Sequence, residues 1–136
     1  MEKKANNEDK IMWKVMIVDD EKLICKLVQA LVEWDKLGMQ MAAQAENAIQ
    51  ALDMLQQYRP DILITDIRMP GMDGLELIKN AKKICPELEI IIISGYAHFE
   101  YARNALSLGV GNYLLKPIKQ DELNETLRKI GERLDA

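Results

Sequence analysis

The sequence lacks the features that would place it in a membrane, outside the cell or directly on nucleic acid. No stretch approaches the roughly 20 consecutive apolar residues of a membrane span, and the N-terminus MEKKANNEDKIM has no apolar core of a signal peptide. The net charge is −4, which leaves no basic excess for DNA or anionic lipid. The two cysteines, Cys25 and Cys85, form no metal or redox spacing. We therefore expect a cytoplasmic domain that touches neither membrane nor DNA itself.

Length and composition indicate one globular domain. The chain has 136 residues, 49% hydrophobic and 29% charged, a balance typical of folded proteins. This length suits one hydrophobic core and is short for two. We assign residues 1–12 to a polar N-terminal tail and residues 13–136 to the domain. The single histidine, His98, has no partner at metal spacing, and we expect it on the surface.

Apolar runs typical of strands alternate five times with amphipathic helical patterns. Strands are predicted at residues 14–18, 39–43, 61–65, 88–93 and 112–115. The first helix is predicted to end at about Trp34, and the second to begin after a capping Asn47. The third is predicted to begin near Asp73, the fourth to span 98–108, and the fifth to occupy the last residues of the chain. Leu23 and Leu27 belong to the apolar stripe of the first helix. Five strand–helix units with short connections indicate a parallel sheet covered by helices on both faces.

Polar residues directly follow four of the predicted strands. Each could have a local explanation as a helix cap, a turn residue or a solvated charge. Because ligand sites of such sheets lie at the carboxyl ends of the strands, their shared position instead predicts one site. The residues are Asp19, Asp20, Glu21, Asp66, Ser94 and Lys116.

This set of residues suits phosphoryl transfer. Clustered carboxylates resist joint ionisation, but Mg²⁺ with oxygen ligands removes the conflict. Asp66 could then act as a carboxylate nucleophile that forms an acyl phosphate. Lys116 and the metal would neutralise charge on the transferring group, and Ser94 would offer a hydrogen bond to it.

Four motifs, in this order, resemble the receiver domain of bacterial two-component response regulators: VDDE (18–21), DILITDIRMPGMDG (61–74), IIISGY (91–96) and NYLLKPI (112–118). The resemblance covers about residues 14–134. It implies a flavodoxin-like α/β fold, a doubly wound five-stranded parallel sheet of order 2-1-3-4-5 with five helices.

The resemblance also implies roles at the metal and phosphoryl positions. Asp66 would be the phosphoacceptor. Asp20 and Asp66 would bind Mg²⁺ directly, together with the backbone carbonyl of Arg68, and Asp19 would assist through water. Lys116 would contact the phosphoryl group, and its peptide bond to Pro117 would be cis.

Ser94 and Tyr113 resemble the hydroxyl and aromatic residues that switch together in this family. The sequence departs from the common pattern in having Ser94 where threonine is usual, which keeps the donor and loses a methyl group. Arg68 and Tyr96 occupy the variable positions beside the phosphoacceptor, and both are bulky, which bears on the lifetime of the phosphorylated state.

The implied function is regulatory rather than enzymatic in a metabolic sense. The domain would receive phosphoryl from a sensor histidine kinase, and the segment from Ile93 to Ile118 looks most like receivers joined to AraC-type helix-turn-helix output domains. Such an output would contact DNA in a part absent from this chain; a stand-alone regulator that docks to a partner is the alternative. The family often forms a phosphorylation-dependent homodimer, and the corresponding surface here carries both signs of charge. Its charged residues are Glu100, Arg103, Lys119, Glu122, Arg128 and Arg133.

Two other functions are possible on the same fold. A flavin- or nucleotide-binding module would need a glycine- or hydroxyl-rich phosphate loop after the first strand, where this chain has Asp-Asp-Glu. An aspartate-nucleophile phosphatase would need a second acid two residues after the nucleophile, where this chain has Arg68.

Overall fold

Six strands and five helices make up the described part of the chain, residues 4–5, 11–95 and 110–135, in a computed structural model. The strands are β1 (Lys4–Ala5), β2 (Ile11–Val18), β3 (Met39–Ala45), β4 (Ile62–Asp66), β5 (Glu89–Ser94) and β6 (Asn112–Leu115). The helices are α1 (Lys22–Leu31), α2 (Trp34–Leu37), α3 (Ala48–Tyr58), α4 (Gly74–Ile84) and α5 (Gln120–Asp135). The predicted helix at 98–108 lies outside the described residues, as do Tyr96 and His98.

The five longer strands are parallel and lie in the order β3-β2-β4-β5-β6. Counted from β2, this is the order 2-1-3-4-5, and the predicted flavodoxin-like sheet is confirmed. The short β1 is not predicted by the sequence: Lys4 and Ala5 pair antiparallel with Met12 and Ile11. β2 accordingly begins at Ile11, ahead of the predicted start at Lys14.

Hydrophobic side chains fill both faces of the sheet. Alternate residues of β2 and β5 point to opposite faces, as the strand period requires. One core cluster joins the sheet to α3 and α4, and the other joins it to α1 and α5. The unmixed apolar run 90–93 is buried throughout, as expected for a strand covered on both faces. Within the described ranges, no helix combines the length and the apolar character that crossing a membrane would require.

The first predicted helix is divided in the structure. α1 ends at Leu31, Val32 is extended with a ψ of 131°, and α2 begins at Trp34. The side chain of Asn124 in α5 binds both sides of this break. Its Nδ2 donates to the Leu31 carbonyl at 2.9 Å, and its Oδ1 accepts from the Glu33 amide at 2.8 Å. These partners come from opposite ends of the chain, so the local sequence does not indicate the break.

α1 packs against the sheet through a narrower face than the sequence predicts. Cys25 and Val28 are fully buried, whereas Leu23 and Leu27 are 77% and 40% exposed. The periodicity of the helix identifies an apolar stripe but not which edge of it meets the sheet. Two leucines therefore remain on the surface of α1.

Candidate functional site

The predicted functional residues gather at one edge because parallel strands end there together. Val18 of β2 is in register with Thr65 of β4, and Asp66 is in register with Ile93 of β5. The residues that follow these strands are therefore carried to the same carboxyl edge. The structure joins the acids to Lys116 in one group and Ser94 to Tyr113 in a second.

Asp66 ends β4 with its carboxylate bound on both oxygens. Oδ1 accepts from the amide of Ile67 at 2.6 Å, and the Arg68 amide lies 3.3 Å away. Oδ2 accepts from Lys116 Nζ at 3.0 Å. Asp66 is 6% exposed, and a carboxylate so buried requires compensation of this kind. The contact with Lys116 thus explains why an apolar strand ends in a charged residue.

Lys116 is shared among three carboxylates. Besides Asp66, its Nζ lies 3.5 Å from Asp19 Oδ2 and 3.9 Å from Glu21 Oε1. Burial acts to lower the pKa of Lys116, but the hydrogen bond to Asp66 and the negative charges of Asp19, Asp66 and Glu21 outweigh it, so the pKa is raised. The lysine therefore stays a cation at neutral pH.

Four carboxylates offer oxygen ligands within a small volume. One oxygen from each of Asp19, Asp20, Glu21 and Asp66 lies within 4.8 Å of the others. Asp19 is 2% exposed. Burial, together with the charge of Asp66, raises its pKa from 3.8 to about 6, against the opposing hydrogen bond from the Glu21 amide. Closely spaced oxygens whose charges repel one another fit a hard divalent cation such as Mg²⁺.

The loop after Asp66 passes close to the start of α4. The amide of Gly74 donates to the carbonyl of Ile67 at 2.7 Å. A Cβ at Gly74 would lie 2.7 Å from Ile67 Cα and would also clash with the Asp66 carbonyl. Gly71 makes the preceding turn with a φ of +81°, a conformation that favours glycine. The glycines of the MPGMDG segment thus hold the loop against the end of β4.

Ser94 and Tyr113 are hydrogen-bonded to each other. The distance between Ser94 Oγ and the Tyr113 hydroxyl is 2.9 Å, and either atom could be the donor. Ser94 is fully buried. Its carbonyl accepts from the amide of Lys116 at 2.8 Å, so the second group is joined through the backbone to the lysine of the first. The peptide bond between Lys116 and Pro117 is cis, as the resemblance implies.

Sequence reasoning placed Glu21 at this edge but gave it no role. Its contact with Lys116 depends on the fold, and its position directly after Asp20 was the one available signal. Arg68 presents its amide to Asp66 and an exposed side chain to solvent. Metal binding by its carbonyl stays a prediction.

Comparison with known proteins assigns this chain to a family. Residues 15–128 match the response regulator receiver domain, and the chain belongs to that family. Among curated proteins, it is 40% identical over 119 residues to YesN, a transcriptional regulatory protein of Bacillus subtilis. It is 33% identical over 119 residues to HptR, a transcriptional regulatory protein of Staphylococcus aureus. The alignments cover 88% of this chain but only 32% of YesN and 46% of HptR.

Solved structures agree with this assignment. The REC domain of AraT, a response regulator from Geobacillus stearothermophilus, superimposes with a TM-score of 0.88 at 39% identity, covering 92% of this chain and 97% of that one. A two-component transcriptional regulator AraC from Clostridium phytofermentans superimposes with a TM-score of 0.82 at 34% identity, covering 91% and 98% of the two chains. This chain is thus a receiver domain similar to those of transcriptional regulators.

Proposed function

We propose that the domain accepts a phosphoryl group on Asp66 from the phosphohistidine of a sensor kinase and signals through a change of conformation. The observation that carries this proposal is the contact of Lys116 Nζ with Asp66 Oδ2 at 3.0 Å, within a set of four carboxylates. A buried carboxylate beside one cation and a cluster of metal-type ligands is suited to receive a phosphoryl group.

In the transfer, a carboxylate oxygen of Asp66 forms a bond to phosphorus while the phosphorus–nitrogen bond of phosphohistidine breaks. The imidazole nitrogen leaves with the bonding electron pair and takes up a proton from water. The product on Asp66 is an acyl phosphate, and its hydrolysis returns the carboxylate. Lys116 lies where it can neutralise charge on the phosphoryl oxygens. Mg²⁺, held by Asp20, Asp66 and the Arg68 carbonyl, with Asp19 through water, would supply further positive charge.

The two other functions considered for this fold fit the site less well. The edge after β2 carries the buried Asp19 and two more acids, which would repel the phosphate of a flavin or nucleotide. The position two residues after Asp66 holds Arg68, so a phosphatase would lack its second acid. The proposed role is accordingly regulatory.

The hydrogen bond between Ser94 and Tyr113 suggests how the two residues switch. A serine hydroxyl donates one hydrogen bond and can accept others. A phosphoryl oxygen on Asp66 would offer Ser94 a charged acceptor, stronger than a neutral one. Tyr113 would then have to be the donor in their pair. The Tyr113 hydroxyl already lies 2.9 Å from Ser94 Oγ, so the two side chains can exchange donor and acceptor roles without first approaching each other.

The exposed leucines of α1 support docking of the kinase beside the acids. Leu23 lies two residues after Glu21 and is 77% exposed, and Leu27 follows one helical turn later. An apolar surface next to a charged site is typical of a protein-binding surface. We assign it to the phosphodonor protein, which must bring its phosphohistidine to Asp66.

The output is proposed to be control of transcription. YesN and HptR carry that description in their names, and this chain covers less than half of either. An AraC-type DNA-binding domain, as the sequence resemblance implies, would make the DNA contacts. Interactions with a histidine kinase, an output domain and DNA are thus proposals for the full-length protein.

A phosphorylation-dependent homodimer through β6, α5 and the segment 98–108 stays a prediction. Glu100 and Arg103 lie outside the described residues. Arg128 binds Glu125 and Glu132 within α5, each at 2.6 Å. Arg133 binds Glu89 at 2.6 Å. Because both arginines have partners within the chain, a dimer would have to share or exchange these ion pairs.

Intact-mass measurement after incubation with Mg²⁺ and acetyl phosphate tests the proposed function. We expect one added phosphoryl group on the wild type and none on Asp66→Asn. Asp73→Asn is the matched control: Asp73 lies in the same loop and accepts from the Glu76 amide at 3.0 Å, a cap that asparagine preserves. Labelling of Asp66→Asn at the wild-type level would refute the assignment.

A further inference from the structure

Glu21 is held in place by the residues around its backbone. Its amide donates to Asp19 Oδ1 at 2.9 Å, and its carbonyl accepts from the Ile24 amide at 3.0 Å. It is the N-cap residue of α1. The backbone of Glu21 is therefore fixed between the buried acid of the site and the first turn of the helix.

The side chain of Glu21 does not cap α1. Serine, threonine, aspartate and asparagine are the preferred N-cap residues, and Glu21 makes no side-chain hydrogen bond to the cap. Its carboxylate lies instead 3.9 Å from Lys116 Nζ, and its side chain is 64% exposed. The other two carboxylates on Lys116, those of Asp19 and Asp66, are 3% and 8% exposed. Glu21 is thus the solvent-side partner of the lysine.

We propose that Glu21 determines which phosphodonors the site accepts. This inference rests on the proposed phosphoryl transfer to Asp66. The carboxylate faces the approach to Lys116 and repels the donor in proportion to the donor's own negative charge. It also occupies Lys116 from the side on which a phosphoryl group would arrive. Small, highly charged donors are therefore disfavoured relative to a less charged donor presented by a protein.

Two small donors of different charge separate this effect from a general loosening of the site. Near pH 7 acetyl phosphate is a dianion, whereas phosphoramidate, with its protonated nitrogen, is a monoanion. Since the repulsion scales with donor charge, its logarithmic effect on rate should be twice as large for the dianion. We expect Glu21→Gln to accelerate labelling of Asp66 by about tenfold with acetyl phosphate and about threefold with phosphoramidate, at low ionic strength and saturating Mg²⁺. Salt near 0.5 M should reduce both factors to below about twofold by screening.

Glu46→Gln is the matched control. It removes one carboxylate near the start of α3, but Glu46 pairs with Lys22 at 3.3 Å and is not among the acids that contact Lys116. We expect both of its labelling rates to stay within about 1.5-fold of wild type, as for an exposed surface ion pair. Glu21→Asp keeps the charge and should retain the preference between donors.

Calorimetric titration with Mg²⁺ supplies a readout that does not depend on labelling. Loss of the Glu21 charge should lower Mg²⁺ affinity of the unmodified domain by about threefold, an effect that salt also reduces. Equal acceleration of both donors by Glu21→Gln, or no acceleration, with wild type still labelled on Asp66, would overturn this inference alone. Failure of the wild type to take up phosphoryl from either donor would overturn the proposed function together with it.

Discussion

Asp19 should destabilise the folded domain at neutral pH when no divalent cation is bound. Burial and the charge of Asp66 raise its pKa from 3.8 to about 6, so the folded state holds a proton that the unfolded chain releases. The penalty is absent below pH 3.8, grows as the pH rises, and is complete above about 6. At about 1.4 kcal/mol per pKa unit, it reaches about 3 kcal/mol.

Asp19→Asn should remove this penalty while keeping the local hydrogen bond. The asparagine carbonyl can still accept from the Glu21 amide, which lies 2.9 Å from Asp19 Oδ1. We expect urea denaturation in EDTA at pH 8 to show a gain of up to about 3 kcal/mol, or about 10 °C in Tm for a domain of this size. At pH 4 the gain should fall below about 1 kcal/mol. Saturating Mg²⁺ should narrow the difference at pH 8, because it stabilises the wild type more.

Asp53→Asn provides the comparison for this experiment, because Asp53 is exposed on α3 and its replacement should change stability by less than about 0.5 kcal/mol. If Asp19→Asn is no more stable than wild type at pH 8, or if its gain is the same at pH 4, the argument from repulsion among buried acids is wrong.

Three further changes test other parts of the structure. Gly74→Ala should destabilise the domain by more than about 2 kcal/mol in urea denaturation, because its Cβ would meet the backbone after β4; Gly111→Ala, with nothing within 4 Å of its Cβ, should change little. Leu23→Ser should slow phosphoryl transfer from the cognate kinase at least about fivefold and leave labelling by acetyl phosphate unchanged, whereas Ile49→Ser, at a residue 67% exposed on α3, should affect neither rate. Lys116→Ala should still be labelled on Asp66. On addition of beryllofluoride, however, its NMR signals from Ser94 and Tyr113 should not show the change seen in the wild type. The full wild-type change in these signals would contradict a role for Lys116 in linking Asp66 to this pair.

Features that depend on neighbouring residues in the chain were predictable from the sequence. Two helix starts illustrate this: the predicted cap Asn47 accepts from the Gln50 amide at 2.8 Å, and the helix predicted from near Asp73 begins at Gly74. The gathering of acids at one edge follows from the parallel pairing of strand–helix units, whereas the strand order was implied by the family resemblance. The shared edge places Asp66 and Lys116 in one site, and the fold then sets the 3.0 Å between Lys116 Nζ and Asp66 Oδ2.

Features that depend on contacts between distant residues were not predictable. The break after α1 is bound by Asn124, and nothing near Leu31 in the sequence indicates it. The exposure of Leu23 depends on how α1 is rotated against the sheet. The apolar stripe in the helix sequence does not determine this rotation, because either edge of the stripe could face the sheet. The contact of Glu21 with Lys116 likewise needs the distance between the end of β2 and the end of β6.

The strands on the two sides of the site differ in the number of residue pairs that hold them in the sheet. We expect the side with fewer pairs to respond to a new charge on Asp66. β2 pairs with β3 over six residue pairs and with β4 over four, and the Asp19 amide extends this pairing to the Ala45 carbonyl. β6 pairs with β5 over four residue pairs and, within the described residues, with no other strand. Displacing a strand breaks its hydrogen bonds in proportion to its pairing. A new charge on Asp66 acts on Lys116, whose amide is bonded to Ser94 at the end of β5. We therefore expect the response to begin at the β5–β6 side, where Ser94 and Tyr113 are hydrogen-bonded, while the acids after β2 stay in place.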